Sequence, residues 1–357
     1  MKLAVGYPVT DEEDVVEAFV AAVEKHVDRV DEIYFALPGD PSGRSPTRNG
    51  KLQAEALGHL HAQGVKLDLL FNANCYGAAA ASPELAEHVC RQVAGAGDVE
   101  IVTTTSPFIA ETLRREFPEL KLRASVNMRI GTVAGMRILS DLFDGFSVQR
   151  EYNRDLQRLA RLRDWCTRNG KQLCGLLNSG CLAFCPGQTF HDNLVAHEAE
   201  QGTRLPTSLL ACRRHLKNPK HWTSILAATW VRPEDVHRYE GIFDLAKLAT
   251  RMHWAPERVI RAYARGHWSG NLLDLLEPGY ADVASGLRLN NRAFPKDWFD
   301  RTTSCGRDCE GCAYCSSVLA KAGGHSPVRS PPSPNSHITV FGHDGGNSNF
   351  SDANSRS

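Results

Sequence analysis

Residues 176–193 read LLNSGCLAFCPGQTFHDN, with Cys181 and Cys185 four apart behind an apolar run and Pro186 and His191 following. Thiolates at loop positions are ligands for soft cations and iron-sulfur clusters, and a ferredoxin-type cluster run also ends in Cys-Pro. Zinc on the same cysteines, with His191 or His197, satisfies the same chemistry. Two buried thiols beside a turn are the purely structural reading. Of the eleven cysteines, Cys90, Cys166 and Cys174 lie among apolar neighbours and read as small buried hydrophobes. Cys75, Cys181, Cys185 and Cys212 instead fall in loops, so they form the candidate set for one shared cofactor.

A second group is tighter. CGRDCEGCAYC places Cys305, Cys309, Cys312 and Cys315 within eleven residues, with Gly306 and Gly311 free to let the backbone turn around a metal. A tetrahedral zinc or a 4Fe-4S cluster satisfies four such thiols, and spacing does not choose between them. The first three also match C-x3-C-x2-C, the spacing of radical S-adenosylmethionine enzymes. Their place far from the first strands, with a fourth cysteine following, argues against that alternative.

Stepping from these residues to the elements that must carry them, KLAVG, EIYFAL, VKLDLLF, VEIVTT, LKLRASV, GFSVQ, KQLCGLL and IFDLAKL read as strands. Amphipathic segments alternate with them, for example Val15, Val16, Phe19, Val20 and Val23 on one stripe, or Leu156, Leu159 and Leu162 before Gly170. Eight βα units predict an α/β fold, a (β/α)8 TIM-type barrel over 1–265, with a long insertion before the last strand. Residues 266–322 then form C-terminal helices and the Cys-rich extension. Residues 323–357, rich in Ser, Pro, Gly and Asn, are expected to be a disordered tail. A length of 357 residues suits one barrel plus an extension.

Lys+Arg and Asp+Glu balance at 41 each, which gives no support for a DNA-binding surface, although an RNA base remains possible as a substrate. The short apolar run at the N-terminus is no signal peptide, and no stretch approaches a membrane span. A cytoplasmic protein with reduced or metal-bound thiols is therefore expected.

In such barrels the working residues lie past the C-terminal strand ends. Those positions carry Asn72, Asn74 and Cys75, Thr103 to Thr105, Asn127 and Arg129, Gln149, Arg150 and Glu151, Asn178 and Cys181, and Lys247 and Arg251. Arg129, Arg150 and Arg251 are expected to hold a carboxylate or phosphate, and Glu151 or His191 to relay protons. The plainer alternative is that these arginines form ordinary ion pairs with Glu151, Glu234 or Asp235. AHEAEQG lacks the second histidine of a zinc protease, and neither a G-x-S-x-G elbow, a P-loop nor a dinucleotide fingerprint is present.

IYFALPG, LFNANCYG, GFSVQREYNRDLQRL, LLNSGCLAFCPGQTFHDN and WVRPEDVHRYEGIFDLAKLATR, in this order across most of 1–265, resemble peptidase family U32. Despite its name, that family includes oxygen-independent hydroxylases acting in ubiquinone biosynthesis and on ribosomal or transfer RNA. The resemblance implies a 4Fe-4S cluster on Cys75, Cys181, Cys185 and Cys212, a small-molecule or RNA substrate, and an electron-donor protein or homologous partner subunit. The chain departs from the commoner pattern in its short C-x3-C spacing and in having a single CRR where a CAQPCR-like run is usual. A zinc-dependent peptidase-like hydrolase and a non-catalytic zinc-stapled scaffold are the alternatives from other classes.

Overall fold

A parallel strand whose neighbours are both crossed by helices is buried on both faces, and eight of them leave no edge only if the sheet closes. The computed structural model, which describes residues 1–43, 49–201 and 209–325, has that closure. The order is β1 (Lys2–Gly6), α1 (Glu13–Lys25), β2 (Val30–Phe35), α2 (Gly50–His61), β3 (Lys66–Phe71), α3 (Pro83–Gly95), β4 (Val99–Thr104), α4 (Pro107–Glu116), β5 (Lys121–Ala124), α5 (Val133–Ile138), β6 (Gly145–Ser147), α6 (Leu156–Arg168) and β7 (Gln172–Leu176). An insertion carrying α7 (Gln188–Gln201), α8 (Ala211–Leu216) and α9 (Thr223–Leu226) precedes β8 (Leu245–Leu248) and α10 (Pro256–Arg265). The strands pair in chain order and β8 closes onto β1 in parallel. The chain is thus a (β/α)8 barrel.

Local chemistry sets the helix starts. Ser82 and Ser106 cap α3 and α4 by accepting from the N–H groups of Leu85 and Ile109, and each is followed by a proline whose missing N–H loses nothing at a first helical position. The stripe on α1 buries Val16, Phe19, Ala22 and Val23. Gly170, with φ 64°, lets the chain turn out of α6 into β7.

The barrel interior departs from the apolar strands that the sequence suggests. Ala4, Tyr34, Leu70, Cys174 and Leu245 share it with buried Glu32, Asp68, Thr103, Arg123 and Lys247. Arg123 donates from both terminal nitrogens to the Glu32 carboxylate at 2.7 and 2.8 Å, and stands 3.4 Å from Asp68. The Thr103 hydroxyl donates to Asp68 at 2.8 Å. Burial pushes the Asp68 carboxyl up to about 6 although Lys247 and Arg123 pull against it. Lys247, read from sequence as a strand-end residue, points into this interior, its ammonium 3.8 Å from the centre of the Tyr34 ring.

Beyond α10 the chain packs back on the insertion. A 3-10 turn (Leu272–Leu275) stands where GNLLDLLEP reads as a helix, followed by β9 (Leu287–Leu289), α11 (Trp298–Thr303) and α12 (Tyr314–Ala322). Gly323–His325 forms β10, antiparallel to β9. The expected tail boundary is therefore corrected by three residues, because the β9 edge offers ladder hydrogen bonds to the chain leaving α12; residues 326–357 lie outside the described residues. Arg154 joins the parts. It donates to the Leu226 and Trp230 carbonyls at 2.7 and 2.9 Å and lies over the rings of Trp230 and Trp298, which stack 5.7 Å apart.

His253, past β8, is locked as a neutral imidazole: Nδ1 accepts from the Ala255 N–H at 3.0 Å and Nε2 donates to the Asp274 carbonyl at 2.9 Å. Burial pushes its pKa down to about 4. Its contribution to stability is complete above its unfolded value and is lost as pH falls through the folded one. The interval from 6.5 to about 4 corresponds to up to ~3 kcal/mol. Urea unfolding between pH 8 and pH 4.5 should show this loss, and His253→Gln should flatten it.

Candidate functional site

The ends of β3, β5, β6 and β7 are tied by one polar chain. Asn72 accepts on its side chain from the Gly43 N–H at 2.9 Å, and its carbonyl accepts from Asn127 Nδ2 at 3.3 Å. Asn127 Oδ1 accepts from Arg150 Nη2 at 3.0 Å, and Arg150 Nη1 donates to Cys181 Sγ at 3.3 Å. Behind Cys181, Asn178 donates to the Ala249 and Leu275 carbonyls and accepts from the Ala249 N–H, which fixes the β7 exit against β8. Gly180 N–H donates to the Glu277 carbonyl at 3.1 Å, and the Tyr280 hydroxyl donates to the Gly180 carbonyl. A Cβ on Gly180 would collide with the carbonyl oxygen of Pro278. Gly180→Ala is expected to lower stability by about 1–3 kcal/mol and displace the Cys181 turn; denaturant midpoints check the first effect.

Cys181, Cys185 and Cys212 line one cleft of about 510 Å³ open to solvent, together with His191, Arg213 and Tyr280. The Cys212 thiol beside Cys185, first of all, and then the backbone N–H groups of Gly187 and Cys212 and the charge of Arg129, pull the Cys185 thiol down against its burial. Cys212 is pushed up in turn. The Cys212 N–H belongs to the first turn of α8, where amide protons lack partners within the helix. Backbone N–H groups converging on a sulfur are a recurring feature of iron-sulfur sites. The donor set, three cysteines with N–H and guanidinium partners, thus fits a thiolate-held cluster. Among the described residues, no group of three or more His, Cys, Asp or Glu is preformed to hold a metal ion.

The non-glycine residues of positive φ among those described, Arg129, Phe184 and Arg307, all belong to this mouth. Such backbone conformations persist only where their surroundings fix them. Arg129 pairs with buried Glu151 at 3.1 Å. Arg307, from the C-terminal cysteine loop, donates to the Glu151 carbonyl at 2.9 Å and lies 5.2 Å from the centre of the Phe184 ring. Phe184 packs edge-on against Tyr152.

Measured against the sequence, the mouth is where the strand-end residues meet, but several roles change. Arg150, expected to hold an anion, donates from one terminal nitrogen to Asn127 and from the other to Cys181. Arg129 takes the ordinary ion pair with Glu151. Arg251 is buried, with Nη2 3.4 Å from Ser42 Oγ. Cys75 is half-buried on the loop after β3 and stands outside the lining of the cleft formed by the other three cysteines. Cys166 and Cys174 are buried as expected, whereas Cys90 is only half-buried. Arg307 and Phe184 were not singled out from sequence; a left-handed backbone on a non-glycine residue has no sequence mark.

No family model matches the chain. A curated relative, the "uncharacterized protease MJ1657" of Methanocaldococcus jannaschii, is 23% identical over 275 residues, covering 75% of this chain and 80% of its own length. The solved structure of the U32 peptidase Mk0906 superposes with a TM-score of 0.50 at 17% identity, covering 70% of this chain and 92% of that one. These findings support membership of the U32 peptidase family. The fold match places the barrel, and the cysteine cleft lies where the β7 exit and the insertion meet. Among the described residues no helix is long and apolar enough to cross a membrane.

Proposed function

We propose that this U32-like chain is an iron-sulfur redox enzyme that carries out oxygen-independent hydroxylation, or a related redox modification, of a small molecule or an RNA base. The observation that carries this reading is the convergence of Cys181, Cys185 and Cys212 on one cleft at the barrel mouth, with hydrogen-bond donors aimed at their sulfurs. Cys75, on the loop after β3, four strands away around the barrel, is the remaining ligand in this reading. A 4Fe-4S cluster, when bound, supplies one-electron chemistry or an open iron for a substrate oxygen.

The chain's own residues do the rest. Arg150 fixes the Cys181 sulfur and lends it positive charge. Glu151, held by Arg129, keeps a carboxylate beside the mouth, and His191 in the cleft wall serves as the proton carrier at its imidazole nitrogens. The Arg129 guanidinium, the more exposed partner of its pair, is the group that meets an anionic substrate. A reducing cytoplasmic setting and an electron-donor protein or partner subunit belong to the same reading.

The names of the two relatives favour a second reading, peptide hydrolysis; zinc on the same cysteines is the metal we propose for it. Anaerobic purification followed by visible spectroscopy and counting of iron, sulfide and zinc separates the two. A brown chain that loses iron on Cys185→Ala supports the redox enzyme, and a colourless zinc protein overturns it.

A further inference from the structure

We infer that α7 crosses the barrel mouth as a strap and confines the site beneath it to small molecules, so that a single-stranded RNA is excluded as substrate. The substrate half of this rests on the mouth being the active site; the position of the strap does not.

The described course of α7 begins and ends on opposite sides of the ring. At its start, Gln188 and His191 line the cleft with Cys181 and Cys185 at the β7 exit. Further along, the His197 ring comes within 3.9 Å of the position that a Cβ would take on Gly77, on the loop that follows β3. β3 and β7 stand across the axis from each other, because the closed barrel runs in chain order from β1 to β8. Strands about 4.8 Å apart and tilted by about 36° close into an eight-stranded ring roughly 15 Å wide. From Gln188 to His197 a helix rises by about 14 Å. Length and opening match, so a straight helix joining these two loops passes over the opening.

The side chains agree with that course. A helix laid on packed core buries an apolar stripe. Of the described side chains of α7, the buried ones are instead Gln188 and Asp192, one turn apart on a shared face, and Gln188 donates to the two Asp192 carboxylate oxygens at 3.2 and 3.1 Å. A polar underside belongs over a wet opening. The cleft of about 510 Å³ beside the start of the helix has the size of a small-ligand site. The sequence of α7 also carries Asp192, Glu198 and Glu200 and neither lysine nor arginine. A nucleic-acid strand is tracked by basic side chains along its phosphates, and here it meets negative charge where it must pass.

The test labels the full chain, freed of any metal by chelation, with N-ethylmaleimide, with maleimide carried on a neutral polyethylene glycol and with maleimide carried on a short single-stranded RNA. Peptide mass spectrometry reads the rates at Cys181, Cys185 and Cys212, with exposed Cys305 and Cys309 as controls in the same molecule. The ratio of bulky-reagent to small-reagent rate should be lower at the mouth than at the controls by about tenfold or more for both carriers, and lowest for RNA. Releasing the strap at both ends with Gln188→Ala/His197→Ala should bring the ratio for the neutral carrier back toward the control value. Equal ratios at mouth and controls in the wild type overturn the proposal. Retardation of the RNA carrier alone also overturns it, since charge and not a crossing helix would then be the barrier. A double variant as slow as the wild type does the same. Iron content does not enter these rates, so a mouth that proves to hold zinc leaves the strap standing.

Discussion

Arg123→Met is expected to destabilise the barrel by about 3–5 kcal/mol, a large share of the net stability of an ordinary domain. Glu32 and Asp68 face Arg123 inside the closed sheet, where the guanidinium lies almost wholly out of solvent. Removing it leaves the Glu32 carboxylate with neither its bidentate donor nor water. Lys247 cannot replace it, since its ammonium sits over Tyr34 and is itself held down by burial. The double variant Arg123→Met/Glu32→Met removes both charges together and should recover most of the loss, because the pair's attraction is largely offset by its desolvation. Urea unfolding of the two single variants and the double variant measures this. Equal destabilisation in the double variant and the sum of the singles would mean that the charges do not act as a pair.

That network also marks where sequence reading of the fold ran out. All eight strands were legible because each is a short apolar or β-branched run between amphipathic helices, and closure follows from their number and order. The charges in VDEIYF, KLDLLF and LKLRA carry no periodicity signal of their own. Their meaning was available in principle: a strand of a helix-covered parallel sheet has no solvated face, so Glu32, Asp68 and Arg123 must pair inside. The insertion was legible as a long interval, but not its contents, since α8 and α9 are short and take their form from packing around Trp222 and Trp230.

At the site, residue type was legible and partnership was not. C-x3-C followed by Pro identified Cys181 and Cys185, and Cys212 could be added because it falls in the insertion. Nothing in the spacing says that Arg150 reaches Cys181 across thirty-one positions, or that the C-terminal loop returns to the mouth through Arg307. The first contact depends on β6 and β7 pairing side by side and the second on the segment after α11 packing back over the mouth, tertiary consequences that periodicity does not carry. Glycine offered a better clue: Gly180 sits between Ser179 and Cys181 where only a residue without Cβ clears Pro278.

If the mouth holds the proposed iron-sulfur cluster, Cys185→Ala and Arg150→Met should separate holding that cofactor from tuning it. Cys185 lies beside the Cys212 sulfur and two backbone N–H groups, so its removal takes away one of the three thiols that line the cleft. The mouth iron should then be lost outright, together with the melting-temperature increment that a ligand bound only by the folded state confers. Arg150 touches the same site without being a ligand. Its loss leaves Cys181 Sγ and Asn127 Oδ1 without their donor, at about 1–3 kcal/mol of stability, while iron and sulfide stay near wild-type counts. The reduction potential of the mouth centre should move to more negative values, because the reduced cluster carries the extra negative charge that Arg150 opposes. Arg150→Lys, which keeps the charge but lacks the planar fork whose two nitrogens reach Cys181 and Asn127 together, should restore part of the potential and little of the stability. An Arg150→Met protein that loses its iron as completely as Cys185→Ala would show instead that the guanidinium holds the site together rather than tuning it.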